Sequence, residues 1–103
     1  MFLGIKKFSN VKDPEMVMKK IESELVPKMR KYPGFIAYYA VKFDDGDQGG
    51  VGIFETKANV DNALAQTRDW QSQNLKDHVT SEPQILRGEV VSTAADKTIA
   101  RSA

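Results

Sequence analysis

The residue pattern predicts an α+β domain in which two helices cover one face of a four-stranded antiparallel sheet. Three observations carry this. Short aromatic and β-branched runs alternate with longer stretches of helical periodicity, in the order strand, helix, strand, strand, helix, strand. The breaks between them carry turn chemistry: Ser9-Asn10, Pro33-Gly34, Asp44-Asp45-Gly46-Asp47 and Ser81-Glu82-Pro83. The length of 103 residues suits one such unit, a size that buries on the order of 65% of its unfolded surface.

Each element follows from local chemistry. Residues 2–8 (FLGIKKF) read as a short strand closed by the Ser9-Asn10 turn. Asp13 as N-cap, Pro14 at the first helical position and Glu15 at the positive end of the dipole predict a helix start. Val17, Ile21, Leu25 and Met29 then recur every four residues and form one apolar stripe, with Glu15–Lys19 and Glu24–Lys28 paired on the solvated side. Pro27 lies inside this pattern and predicts a kink, because it lacks an N–H and crowds the carbonyl four residues back. Pro33-Gly34 ends the helix, with Gly34 free to take positive φ.

Residues 35–43 (FIAYYAVKF) have strand chemistry, Asp44 to Asp47 form a hairpin connection, and residues 49–55 (GGVGIFE) return. Thr56 is a suitable cap for a second helix to about Leu75, with Val60, Ala63, Leu64, Thr67, Trp70, Asn74 and Leu75 near one face. Residues 84–92 form the last strand. Residues 1–93 are thus expected to make a single domain and 94–103 a loose polar C-terminal tail.

Composition narrows the function. There is no cysteine, which excludes a disulfide framework and a thiolate metal site. A net charge of +1 gives no electrostatic case for nucleic acid or an anionic membrane. The apolar run Phe2 to Ile5 stops at Lys6-Lys7, too short for a signal-peptide core or a spanning helix, so the cytoplasm is the expected address.

The element order is the split β-α-β arrangement of ferredoxin-like folds, whose two helices cover one sheet face only. The strands do not alternate as a lone sheet of that kind should. In the second, Phe35, Ala37, Tyr39, Val41 and Phe43 share one parity and Ile36, Tyr38 and Ala40 the other. In the third, Val51 and Ile53 oppose Phe54. In the fourth, Ile85 and Val91 oppose Leu86 and Val90. Both faces are apolar, and an open apolar face of this size calls for a cover. A second copy of the same sheet is the most economical one, so a homodimer is expected. Arg87, Glu89 and Lys42 interrupt the pattern and limit the covered area.

The run LVPKMRKYPGF, the hairpin IAYYAVKFDDGDQGGVGIFET, the helix carrying Trp70 and the closing strand ILRGEVV together resemble the antibiotic-biosynthesis-monooxygenase-like superfamily of dimeric α+β barrels. The resemblance spans roughly residues 2–92. It implies two sheets closing face to face and one cavity per subunit between sheet and helices. Some members oxidise aromatic polyketides without metal or flavin, and others bind and degrade haem.

The residues suited to chemistry are few. His78 is the sole histidine and follows the second helix; it is either a solvated loop residue or a cavity base or haem ligand. Trp70 lies in a stripe shared with Thr67, Gln71 and Asn74, which either lines a pocket or marks the edge of a buried face. The resemblance implies a cavity role for Trp70 and Asn74, since polyketide-oxidising members use a tryptophan and an asparagine there. Arg87 is suited to an anionic or carbonyl oxygen, or to an acidic partner across a dimer. Tyr38 and Tyr39 point to opposite faces, one to the helices and one to the dimer core, and parity does not decide which. Phe54 completes the pocket candidates. Haem-degrading members carry an asparagine on the first strand, and residues 2–8 contain none.

Two further readings are set aside on chemistry. The Asp44 to Asp47 run lacks the spaced ligands and terminal glutamate of a calcium loop and reads as a turn. An RNA-recognition motif shares the element order but needs stacking aromatics where the third strand has the aliphatic Val51 and Ile53. The resemblance therefore implies an oxygenase-like barrel, with cofactor-independent oxidation of a small aromatic substrate as the expected activity. The alternative is a non-catalytic dimer that holds a small apolar ligand, and haem binding or degradation ranks below both.

Overall fold

The computed structural model describes residues 1–94. In chain order the elements are β1 (Phe2–Phe8), α1 (Pro14–Lys20), a π-helical turn (Ile21–Leu25), α2 (Val26–Met29), β2 (Phe35–Lys42), β3 (Gln48–Phe54), α3 (Lys57–Asn74) and β4 (Gln84–Glu89). The four strands form one antiparallel sheet in the order β2-β3-β1-β4, the ferredoxin-like topology expected from the element order. Among the described residues, no helix is long and apolar enough to cross a membrane. The polar tail expected over 94–103 lies, from residue 95 onward, outside the described residues.

The first helix keeps its predicted stripe, and Val17, Ile21, Leu25 and Met29 are all buried. Its start differs from expectation, and the stretch where Pro27 predicts a kink is irregular. Asp13 is the N-cap residue but takes a left-handed conformation (φ 51°) and makes no side-chain cap; its backbone carbonyl accepts Val17 N–H at 3.1 Å instead. Short aspartate side chains tolerate that region better than most residues. Ahead of Pro27 the helix widens into the π turn, where Val26 N–H donates to Ile21 O, five residues back. Pro27 then sits in the first positions of α2, where a missing N–H costs least. Gly34 takes φ 72°, and a Cβ there would collide with the Asn59 side chain, so the helix exit and the start of α3 are packed through a glycine.

α3 begins as its sequence predicts. Thr56 Oγ1 accepts Asn59 N–H at 3.1 Å while the Asn59 side chain accepts Thr56 N–H at 3.1 Å, a reciprocal cap that satisfies two otherwise free donors. Val60, Ala63, Thr67 and Trp70 face inward from it. Burial of side chains such as Val17, Leu25 and Phe54 contributes about 1.5–3 kcal/mol each and holds the helices on the sheet.

Pairing register fixes what each sheet face carries. Phe35 pairs with Phe54, but Ala37 pairs with Ile53, so Phe35 and Ile36 together oppose one residue in a bulge. Phe35 therefore does not share a face with Ala37 and Tyr39, as simple parity predicts. It joins Phe54 on the helix side, edge to face at 5.9 Å. Beyond the bulge, Tyr38 points to the helices and Tyr39 away from them. The face away from the helices presents Leu3, Ile5, Tyr39, Val51, Ile53 and Leu86, with Tyr39 42% and Leu86 53% exposed. β4 ends at Glu89, before the predicted residue 92, because Glu89 already pairs with Phe2; Val90 N–H still reaches Met1 O at 2.9 Å.

The β2–β3 connection is a plain turn stabilised by its carboxylates. Gly46 takes φ 90°, Asp45 Oδ1 accepts Asp47 N–H at 3.0 Å, and Lys7 Nζ lies 2.6 Å from Asp45 Oδ2. The lysine holds the Asp45 carboxyl below its ordinary range, chiefly by that hydrogen bond.

Candidate functional site

Glycines make the site possible. Gly4, Gly50 and Gly52 lie on the helix-facing side of the two central strands, and bare backbone there lets side chains lie flat on the sheet. A Cβ on Gly4 would stand 3.0 Å from Val60 Cγ1, one on Gly52 2.9 Å from the Phe54 ring, and one on Gly50 would fall on the Tyr38 hydroxyl. The stripe of the first helix and the inner face of α3 close over this floor. They leave a chamber of about 70 Å³ whose lining includes Leu75 and Val79. The π turn contributes Ile21 and Leu25 to its wall, a placement in keeping with the frequent use of such turns at functional sites.

The lining is apolar apart from a few polar groups. Lys6 enters from β1, and its Nζ donates to Thr67 Oγ1 at 2.8 Å and to Leu64 O at 3.3 Å. Burial, with smaller contributions from the positive charges of Arg68 and Arg87, lowers its pKa from 10.5 to about 8. The Thr67 hydroxyl donates to Leu64 O at 3.1 Å, leaving its oxygen free to accept from the lysine. Gln48, 5% exposed at the start of β3, donates through Nε2 to Pro14 O at 3.2 Å. That contact turns Oε1 the other way, and this oxygen is the one buried side-chain polar atom without a partner among the described residues. Tyr38 reaches in over Gly50, and burial pushes its phenol up to about 12, so it is neutral at any physiological pH.

Of the side chains singled out from the sequence, Trp70, Thr67, Phe54 and Tyr38 converge on this chamber. The other four do not. The Asn74 side chain turns back on its own helix, with Nδ2 2.8 Å from Trp70 O, and the Asn74 backbone carbonyl accepts from Lys20 Nζ at 3.3 Å. His78 sits outside the lining in the loop after α3. Its Nδ1 is 3.2 Å from Lys12 O, and the two backbones are joined by Lys12 N–H to His78 O at 2.9 Å. The ring thus ties the α3 exit to the β1–α1 loop. Arg87 pairs within its own chain, Nε to Asp61 Oδ1 at 3.1 Å, with both side chains about half exposed. Tyr39 is on the opposite sheet face.

Lys6 and Gln48 were not singled out, although strand period carries a signal for both. Lys6 shares parity with Phe2, Gly4 and Phe8, and Gln48 with Gly50, Gly52 and Phe54, so each is a polar residue on an otherwise inward-facing row.

No family model matches the chain, and no curated protein is similar to it in sequence. Solved structures are similar in fold. A protein of unknown function from Nitrosomonas europaea superposes with a TM-score of 0.74 at 18% identity, over 92% of this chain and 93% of that one. A monooxygenase of Streptomyces coelicolor in complex with nanaomycin D superposes with a TM-score of 0.70 at 13% identity, over 93% and 92%. SnoaB, a cofactor-independent oxygenase from Streptomyces nogalater, gives 0.69 at 12% identity, over 92% and 97%. The chain has the ferredoxin-like α+β fold of antibiotic biosynthesis monooxygenase structures, across nearly the full length of each.

Proposed function

We propose that the chain is an antibiotic-biosynthesis-monooxygenase-like protein that takes a small aromatic molecule into the chamber and oxidises it with dioxygen, using no metal or flavin. The observation that carries this is the apolar chamber beneath the two helices, where Trp70, Tyr38 and Phe54 meet on a glycine floor. Such a site needs little acid–base machinery when the substrate itself supplies the electron-rich carbon. Its contribution is to orient the ring and exclude water. A volume of about 70 Å³ lies well below the roughly 300–1,000 Å³ of pockets for drug-sized ligands, which favours a single ring over a fused polycycle. The position of His78 outside the lining weighs against haem.

The same reading makes the protein a cytoplasmic homodimer joined through the face that carries Tyr39, Val51, Ile53 and Leu86, since an apolar sheet face of this kind is ordinarily covered. The test of activity is oxygen consumption with single-ring hydroquinones. Turnover by the wild type and its loss in Trp70→Phe support oxidation. Ligand binding without oxygen uptake would instead establish the non-catalytic barrel, the reading that the small chamber volume also accommodates.

A further inference from the structure

We infer that the chamber recognises a single-ring arene carrying two oxygens, one held as a phenolate on Lys6 Nζ and the other a hydroxyl that donates to Gln48 Oε1. This rests on the small-aromatic reading above and names the substrate class within it.

Lys6 supplies the first half. A half-buried cation in a largely apolar lining is normally matched by an anion, because desolvation otherwise penalises it. The two oxygens that Nζ contacts, Thr67 Oγ1 and Leu64 O, are both neutral. Among the described residues no carboxylate lies within ion-pair distance of it, and the charged groups acting on it, Arg68 and Arg87, are of its own sign. The negative charge that would complete this site has to arrive with the ligand.

Gln48 supplies the second half independently. Its amide is oriented by Pro14 O, so on this residue of the chamber lining an acceptor oxygen, not a donor, is left buried without a partner. A hydroxyl matches it and a carboxylate or ether does not. The two groups stand on neighbouring strands of the same sheet face. Lys6 pairs with Gly50, and Gln48 is two residues from Gly50 on the same face, so Lys6 and Gln48 are diagonal neighbours about 7–8 Å apart at the backbone. The glycine floor and Trp70 line the same chamber. On binding at neutral pH, the O–H bond of one hydroxyl breaks, its electron pair stays on the ring oxygen, and the proton leaves to solvent. The ammonium of Lys6 then faces a phenolate, whose charge spreads onto ring carbon as oxidation by dioxygen requires.

The probes are 4-nitrocatechol, 4-nitrophenol and nitrobenzene, titrated by calorimetry, with absorbance reporting ionisation of the bound phenol. The wild type is expected to bind 4-nitrocatechol at least tenfold more tightly than nitrobenzene and to shift it toward the phenolate spectrum. Lys6→Met should remove both the tenfold preference and the shift. Gln48→Met should weaken 4-nitrocatechol several-fold and leave 4-nitrophenol unchanged. Should Gln48→Met fail to fold, the ratio of 4-nitrocatechol to 4-nitrophenol affinity in the wild type decides the same point, and equal affinities overturn the role of Gln48. Equal binding of nitrobenzene and 4-nitrocatechol, unaltered by Lys6→Met, would overturn the oxygen recognition while leaving an aromatic-binding chamber intact. Binding of none of the three would overturn the chamber reading and this inference with it.

Discussion

Replacing Lys6 by methionine removes a cation from the chamber wall while keeping a side chain of similar length and apolar stem. The fall in its pKa from 10.5 to about 8 measures how much the fold disfavours the charged amine. At about 1.4 kcal/mol per pH unit this is about 3 kcal/mol at most. Lys6 is only half-buried, and solvent screening reduces the cost to about 2 kcal/mol. Against it stand the hydrogen bonds to Thr67 Oγ1 and Leu64 O, which contribute about 1 kcal/mol net. Lys6→Met should therefore be more stable than the wild type at pH 7 by about 1 kcal/mol, a rise in Tm of about 4–8 °C for a domain of this size. The pH dependence gives the sharper signature. The charge cost is fully present below pH 8, where the amine is protonated both folded and unfolded. Between about 8 and 10.5 the unfolded chain binds more protons than the folded one, so wild-type stability climbs relative to the variant. Thermal melts followed by circular dichroism at pH 7, 8, 9 and 10 should show the advantage of Lys6→Met shrinking and then reversing. A variant less stable than the wild type at pH 7, with a pH-independent difference, would refute the reasoning.

Three other outcomes follow from the same geometry. The Tyr38 phenol, pushed up to about 12 by burial, keeps its proton in the folded state after an unfolded chain has lost it near 10. The wild type should lose stability from about pH 10 upward in a way that Tyr38→Phe does not, as melts at pH 9 and 11 would show. Gly50→Ala places a methyl on the Tyr38 hydroxyl and should cost about 1–3 kcal/mol, whereas Gly46→Ala meets nothing within 4 Å and suffers only backbone strain of about 1 kcal/mol. Urea denaturation would rank the two, and the opposite order would sink the account of the floor. Ile53→Glu puts a charge into the centre of the proposed dimer face and should convert a dimer to a monomer in sedimentation velocity, with the far-UV spectrum retained.

How much of this was legible in the sequence depended on whether local rules or distant contacts decide a residue's direction. Thr56 with Asn59, the Val17–Ile21–Leu25–Met29 stripe and the Gly34 exit are set within a few residues, and the structure follows each. So is the inward turn of Trp70 and Thr67, which share one helix face with Val60 and Ala63. The bulge at Phe35 and Ile36 is not local. Nothing in FIAYYAVKF shows that two residues will face Phe54, and so parity alone could not assign Tyr38 inward and Tyr39 outward. His78 shows the same limit from a loop: its direction is set by Lys12, 66 residues away, which no pattern around residue 78 encodes.

Lys6 is a different case, because strand period did carry the answer and adjacency hid it. Read together, Lys6-Lys7 looks like the polar end of an apolar run. Taken singly at period two, they part company. Lys7 goes to the hairpin carboxylates on one side, where the hydrogen bond to Asp45 raises its pKa. Lys6 goes under α3 on the other, where burial lowers its pKa. Two identical neighbours are thus driven in opposite directions by the pleat alone, and the one with no carboxylate to meet is the one that faces the chamber.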